Sequence, residues 1–219
     1  VPIAIDTSPA NAISDLNDLV IEVRDEMDDD GFAIDKIYRA IARAEAMFNR
    51  ELRCPRMETE YDLSVSDEAT DLPTDFLQLR TVYAEGSPDN PLDTMSPAGL
   101  RQRYRGQTGE RVQAYAIENR RLLVGPVGDA TLTLVYYARI PSLTDSNPSN
   151  WLLDEHPDLY LHQVLAILFN KIGDSERAAA IATYAANLLG SINDAGKKNR
   201  WGAGPLVPRG MQQVYGARV

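Results

Sequence analysis

Cys54, His156 and His162 are the only residues of this 219-residue chain that could pair a thiolate with an imidazole, the arrangement by which an activated cysteine attacks an electrophilic carbon. No local signature of a cysteine enzyme surrounds them. Cys54 closes an amphipathic stretch just before Pro55, His156 precedes the Pro157 of a helix start, and His162 falls within a largely apolar helical run. Structural roles account for all three, so the sequence predicts no catalytic residue. A single cysteine also rules out an intramolecular disulfide and a multi-cysteine zinc site, so the chain has no need of an oxidising compartment and reads as a cytosolic product.

Other chemistry-bearing patterns fail on spacing. Asp28, Asp29 and Asp30 followed by Gly31 have the composition of a calcium loop. With Gly31 at the turn position, however, the first ligand would be Glu26 and the closing bidentate acid would be Ile37. Gly202-Ala-Gly204 runs into Pro205 without a preceding strand, which excludes a phosphate loop, and Pro148 excludes Asn147 as a glycosylation acceptor. No metal and no cofactor is expected. Arg101, Arg103, Arg105 and Arg111, with Tyr104 among them, form a basic patch that could bind nucleic acid. A solvated or salt-bridged face is the competing reading, and the acidity of the chain favours it.

That acidity is uneven. The net charge is −10, yet residues 197–219 hold five bases and no acid, which leaves −15 for everything before them. Residues 1–35 alone hold ten acids and one base. A body this acidic argues against a protein that grips phosphates over its whole surface. The basic end also carries Trp201, Leu206, Val207, Met211, Val214 and Tyr215, apolar groups beyond what a solubilising tail needs, and reads as a segment that orders on a partner. Leu206-Val-Pro-Arg-Gly210 resembles a protease site used in expression vectors and is read here as native. No signal peptide and no membrane span is predicted.

The elements that position these residues follow from periodicity. Ile13, Leu16, Leu19, Val20, Val23 and Met27 recur at helical spacing, and Ile34, Ile37, Tyr38, Ile41, Phe48 and Leu52 mark a second helix, giving an expected antiparallel pair. From Thr59 to Ile140 the period falls to two, with turns at residues 86–91, 106–109 and 125–128, which predicts an antiparallel meander. A short helix capped by Ser96 and opened by Pro97 interrupts it. Helical spacing returns from Pro157 to Lys171, and Asp174 caps a last, alanine-rich helix. The final 24 residues, with five glycines and two prolines, show no period through their length. The fold class is α+β: a helical pair in 1–56, a β-rich insertion in 57–143, C-terminal helices completing the bundle in 144–195, and an extended arm in 196–219.

Several stretches together resemble the head-to-tail adaptor, or connector, proteins of tailed bacteriophages. They are Leu72-Pro-Thr-Asp-Phe-Leu-Gln-Leu-Arg80 with Val82-Tyr83, Met95-Ser-Pro-Ala-Gly-Leu100, Leu122-Leu-Val-Gly-Pro126 and Leu134-Val-Tyr-Tyr-Ala-Arg-Ile-Pro-Ser-Leu143. Asn150-Trp-Leu-Leu153, His156-Pro-Asp-Leu-Tyr-Leu161 and Asp174-Ser-Glu-Arg-Ala178 continue the likeness, which spans about residues 34–195. It implies a non-catalytic virion protein of the neck, assembled in the host cytoplasm without membrane contact. Its partners would be the portal protein, a tail or nozzle protein on the distal side, and its own copies in a ring, usually a dodecamer. Genomic DNA would pass through that ring, during packaging and ejection, without specific binding. Portal gripping by the arm would then fall to Lys197, Lys198, Arg200, Trp201, Leu206, Val207, Arg209 and Tyr215. Asp28, Asp29 and Asp30 are candidate channel-facing acids.

Overall fold

The computed structural model describes residues 13–29 and 32–201. The chain opens with α1 (Leu16–Glu26), capped by Asp15, whose carboxylate accepts the Asp18 N–H at 2.9 Å. Leu16, Leu19, Val20 and Val23 form its buried stripe. α2 (Ile34–Glu51) buries Ile37, Ala40, Ile41, Ala44, Glu45 and Phe48. The two N-terminal helices meet each other only sparsely and share α5 (Pro157–Ile172) as their main partner. The expected pair is therefore completed by a helix more than a hundred residues away in sequence.

α5 begins at Pro157, after the short α4 (Trp151–Glu155), and ends at Gly173, whose φ of +95° is the left-handed closure that glycine adopts without a Cβ penalty. Asp174 then caps α6 (Ser175–Trp201), accepting the Arg177 N–H at 3.1 Å. α6 packs along α5 through a narrow stripe of Ala178, Ala185 and Leu189. The helix runs through Trp201 and takes in residues 196–201 of the stretch read as an arm. Gly196, which looks like a helix breaker, is instead where the helix crosses close to another segment: a Cβ there would lie 2.8 Å from Cδ of Pro55 and 3.3 Å from Cα of Cys54. Leu206, Val207, Arg209 and Tyr215 lie outside the described residues.

Between α2 and α4 the chain builds two sheets. β1 (Glu58–Val65), β7 (Ala130–Ala138) and β3 (Phe76–Ala84) form an antiparallel sheet in the order β1-β7-β3. β2 (Ala69–Asp71), β6 (Arg121–Gly125), β5 (Ala114–Glu118) and β4 (Asp93–Thr94) form the second, in the order β2-β6-β5-β4, with β4 parallel to β5. This is not the predicted meander. Local alternation identifies strands, but β7 inserts between β1 and β3 because its inner residues Leu132, Leu134 and Tyr136 complete the core that both line.

The period of two is visible across β6. Leu122 and Val124 enter the core between the sheets, while Leu123 faces the opposite way with Ala114, Ala116 and Leu100 beneath α3 (Pro97–Arg103). Ser96 caps α3 as expected, accepting the Gly99 N–H at 3.1 Å. A separate and larger core joins α1, α2, α4, α5 and α6, and Met57, Tyr137 and Ile140 carry it toward the sheets.

Candidate functional site

The junction between bundle and sheets is built by one row of α2. Glu45, Asn49 and Arg53 recur at four-residue spacing and so share a face. The Glu45 carboxylate accepts the Leu143 N–H at 2.7 Å, and the Asn49 carbonyl oxygen accepts the Ile140 N–H at 2.9 Å. Arg53, just past the helix, donates to Gln78 of β3 at 2.9 Å and lies over the Tyr137 ring, 5.8 Å from its centroid. The connector leaving β7 is thereby fixed to α2.

Asn150 holds the other end of that connector. Its amide donates to the Pro141 carbonyl at 2.7 Å and to the Tyr160 hydroxyl at 2.9 Å, while its carbonyl oxygen accepts from Leu152 and Leu153 at the start of α4. Tyr160 in turn donates to Glu45 at 3.4 Å and packs its ring edge against Phe48, with centroids 5.1 Å apart. Glu45 is 5% exposed, and burial raises its pKa, opposed by the donors from Leu143, Ser142 and Tyr160. Burial and the neighbouring Glu45 charge hold the Tyr160 phenol far above its ordinary range. This network fixes the connector between α2, α4 and α5. Sequence reasoning missed Glu45, Asn49, Asn150 and Tyr160. Their one signal is a glutamate within the apolar stripe of Ile41, Ala44 and Phe48.

The structure brings Cys54 and His156 into one groove of about 300 Å³, lined also by Pro55, Trp151, Ile192 and Gly196 and edged by the 2.7 Å ion pair of Arg56 with Glu155. Burial pushes the Cys54 thiol up, and His156 is the backbone hinge between α4 and α5, donating its N–H to Leu152 and accepting from Leu159. His162 lies apart: its Nδ1 donates to the Asp158 carbonyl at 2.6 Å and its ring meets that of Tyr184 at a tilt of 54°.

The arginine patch is partly committed to the fold. Arg101 reaches from α3 to Glu68 at 3.3 Å and to Glu118 of β5, and Arg103 lies over the Tyr104 ring. The Glu118 carboxylate sets the Arg101 pKa higher, and Arg101 lowers that of Glu118 in return. Arg105 borders a cleft of about 480 Å³ with Leu100, Tyr104 and Val124.

Asp28 and Asp29 follow α1 as exposed residues, Asp28 in a left-handed conformation (φ +52°), and Asp30 lies outside the described residues. Lys197 pairs with Asp194 at 3.0 Å on α6, and Lys198, Arg200 and Trp201 belong to the same helix. Among the described residues no group of three or more histidine, cysteine or acidic side chains could hold a metal ion, and no helix is long and apolar enough to cross a membrane.

Residues 14–209 match the protein family described as SU10 adaptor protein. That span takes in both sheets and every helix from α2 on, together with α1. No curated protein matches the sequence.

Proposed function

The chain belongs to the SU10 adaptor protein family, and on that premise we propose that it is a non-catalytic adaptor of the phage neck whose copies assemble into a ring joining the portal to the tail. The observation that carries this reading is the family match across nearly the whole described chain. The polar junction at Glu45, Asn49 and Asn150 supports it, because these side chains are used to fix two structural units in register.

In this role the acidic body lines or flanks the path of DNA, with phosphates repelled so that the duplex slides without being held. Asp28, Asp29 and Asp30 are offered as channel-facing acids. Residues from Lys197 onward, among them Arg209 and Tyr215, supply the arm that engages the portal, and α6 gives that arm a rigid base through Trp201. The distal face meets a tail or nozzle protein.

The test is electron microscopy of the purified protein mixed with isolated portal rings. A second ring stacked coaxially on the portal is expected, and its absence at saturating protein overturns the reading. A chain ended after Trp201 removes the distal part of the arm, residues 202–219. It keeps the full α6 and should lose portal attachment, whereas unchanged attachment would remove residues 202–219 from the interface.

A further inference from the structure

Four strands are outermost in the two sheets, and they are unequal. β2 has three residues and β4 has two. β3 carries two register shifts, and its outer side is covered at Val82 and Tyr83, where the Leu92 N–H donates to the Val82 carbonyl at 2.8 Å and Pro91 bridges Tyr83. β1 alone is long and regular, eight residues in unbroken register with β7 and without glycine or proline. Every second residue of such a strand turns its N–H and C=O away from its partner, a ready template for another strand.

The two faces of β1 also differ. Tyr61, Leu63 and Val65 lie on the core side, with Tyr61 still 46% exposed at the open margin. Glu60 and Asp62 lie on the other face, both exposed.

α6 returns the chain to this place. Gly196 packs against Pro55, three residues before β1 begins. The nine residues 202–210 can span up to about 30 Å when extended, about the length of β1 itself. The arm as a whole has no period, and its last nine residues, laid out as a strand, divide unequally between two faces. Met211, Gln213, Tyr215, Ala217 and Val219 would share one face, and Gln212, Val214, Gly216 and Arg218 the other. The more apolar face suits Tyr61 and Leu63, and Arg218 suits Glu60 and Asp62. From residue 202 on, the segment holds Arg209 and Arg218 and no acid.

We propose that the edge of β1 is the docking site for the chain's own C-terminal segment, residues 211–219, which adds to the sheet as an outer strand. The site gives the arm a resting position on its own subunit and stands whether or not a portal is the arm's eventual partner.

The test is amide hydrogen exchange on the isolated protein, which involves no portal, so its failure leaves the adaptor reading untouched. Amides of residues 58–65 should exchange at least tenfold faster in a chain ended after Trp201 than in the full chain, with β6 unchanged. A full-length double variant, Val214→Pro with Tyr215→Pro, removes a ladder donor whichever of the two faces β1, without shortening the chain, and should expose β1 to the same degree. Should the shortened chain lose protection in β6 as well, the double variant decides. Equal β1 exchange in the full chain and the double variant overturns the proposal. So does β1 protection that grows with protein concentration alongside a larger sedimenting species, because the strand would then come from a second copy.

Discussion

The Glu45 carboxylate receives the backbone N–H of Leu143, 98 positions along the chain, at 2.7 Å. Glu45 is nearly as buried as the leucines around it, so this bond and the one from Tyr160 replace the water it has lost.

Removing the acceptor leaves a buried donor without a partner. Glu45→Ala should therefore cost about 1–3 kcal/mol of stability, and Glu45→Gln, which keeps an acceptor oxygen, should cost less. Urea denaturation of the two variants checks the order, and equal losses would reduce Glu45 to its packing.

The same residue sets a pH dependence. Burial raises the folded-state pKa of Glu45 above its ordinary value of 4.5, so across the window from 4.5 up to that raised value the folded state binds more protons than the unfolded one. Stability contributed by this group is then fully present below the window and falls as pH rises through it. Glu45→Gln should lack this component, so that the wild type loses ground to the variant as pH climbs from 4.5. Melting curves of both proteins over that range give the difference.

Asn150 bonds in four directions at once. Asn150→Ala should cost about 2 kcal/mol through the lost helix cap and the stranded Pro141 carbonyl, and Asn150→Ser should recover the cap alone. Thermal unfolding that ranks serine no better than alanine would mean the cap contributes little.

Gly196 keeps α6 against Pro55 and Cys54. Gly196→Leu should lift the helix away there and open the groove in which the thiol is buried. Cys54 should then react with a thiol reagent at least tenfold faster than in the wild type, where burial holds its pKa up. An unchanged rate would show that α6 does not shield the thiol.

Arg101 bridges two glutamates at the surface. Arg101→Ala should lower the melting temperature slightly at low salt, and the difference should shrink as salt is added. A deficit that persists at high salt would point to packing of the arginine stem.

Much of this fold is legible in the sequence because it is local. The stripes of α1, α2 and α5, the Ser96 cap and the Asp174 cap all depend on residues within one or two turns of each other. The order of the sheets is not local: β7 pairs with β1 across more than sixty intervening residues, and nothing near Thr131 or Leu134 names that partner. Gly196 shows the opposite error. A glycine among small residues reads as a stop, yet here the missing Cβ lets the helix pass close to Pro55 and continue. The junction is hard to read for a related reason: its one mark is Glu45 within an apolar stripe, and Asn49 looks like an ordinary polar residue until the connector they bind is brought back over them.

That connector behaves as a ruler. Ile140 and Leu143 are three residues apart, and their acceptors Asn49 and Glu45 stand about one helical turn, 5.4 Å, apart on α2. Adding or deleting one residue between them would put at least one N–H out of reach of its acceptor. The stretch is thus closed to length variation, and substitutions can accumulate there far more readily than insertions.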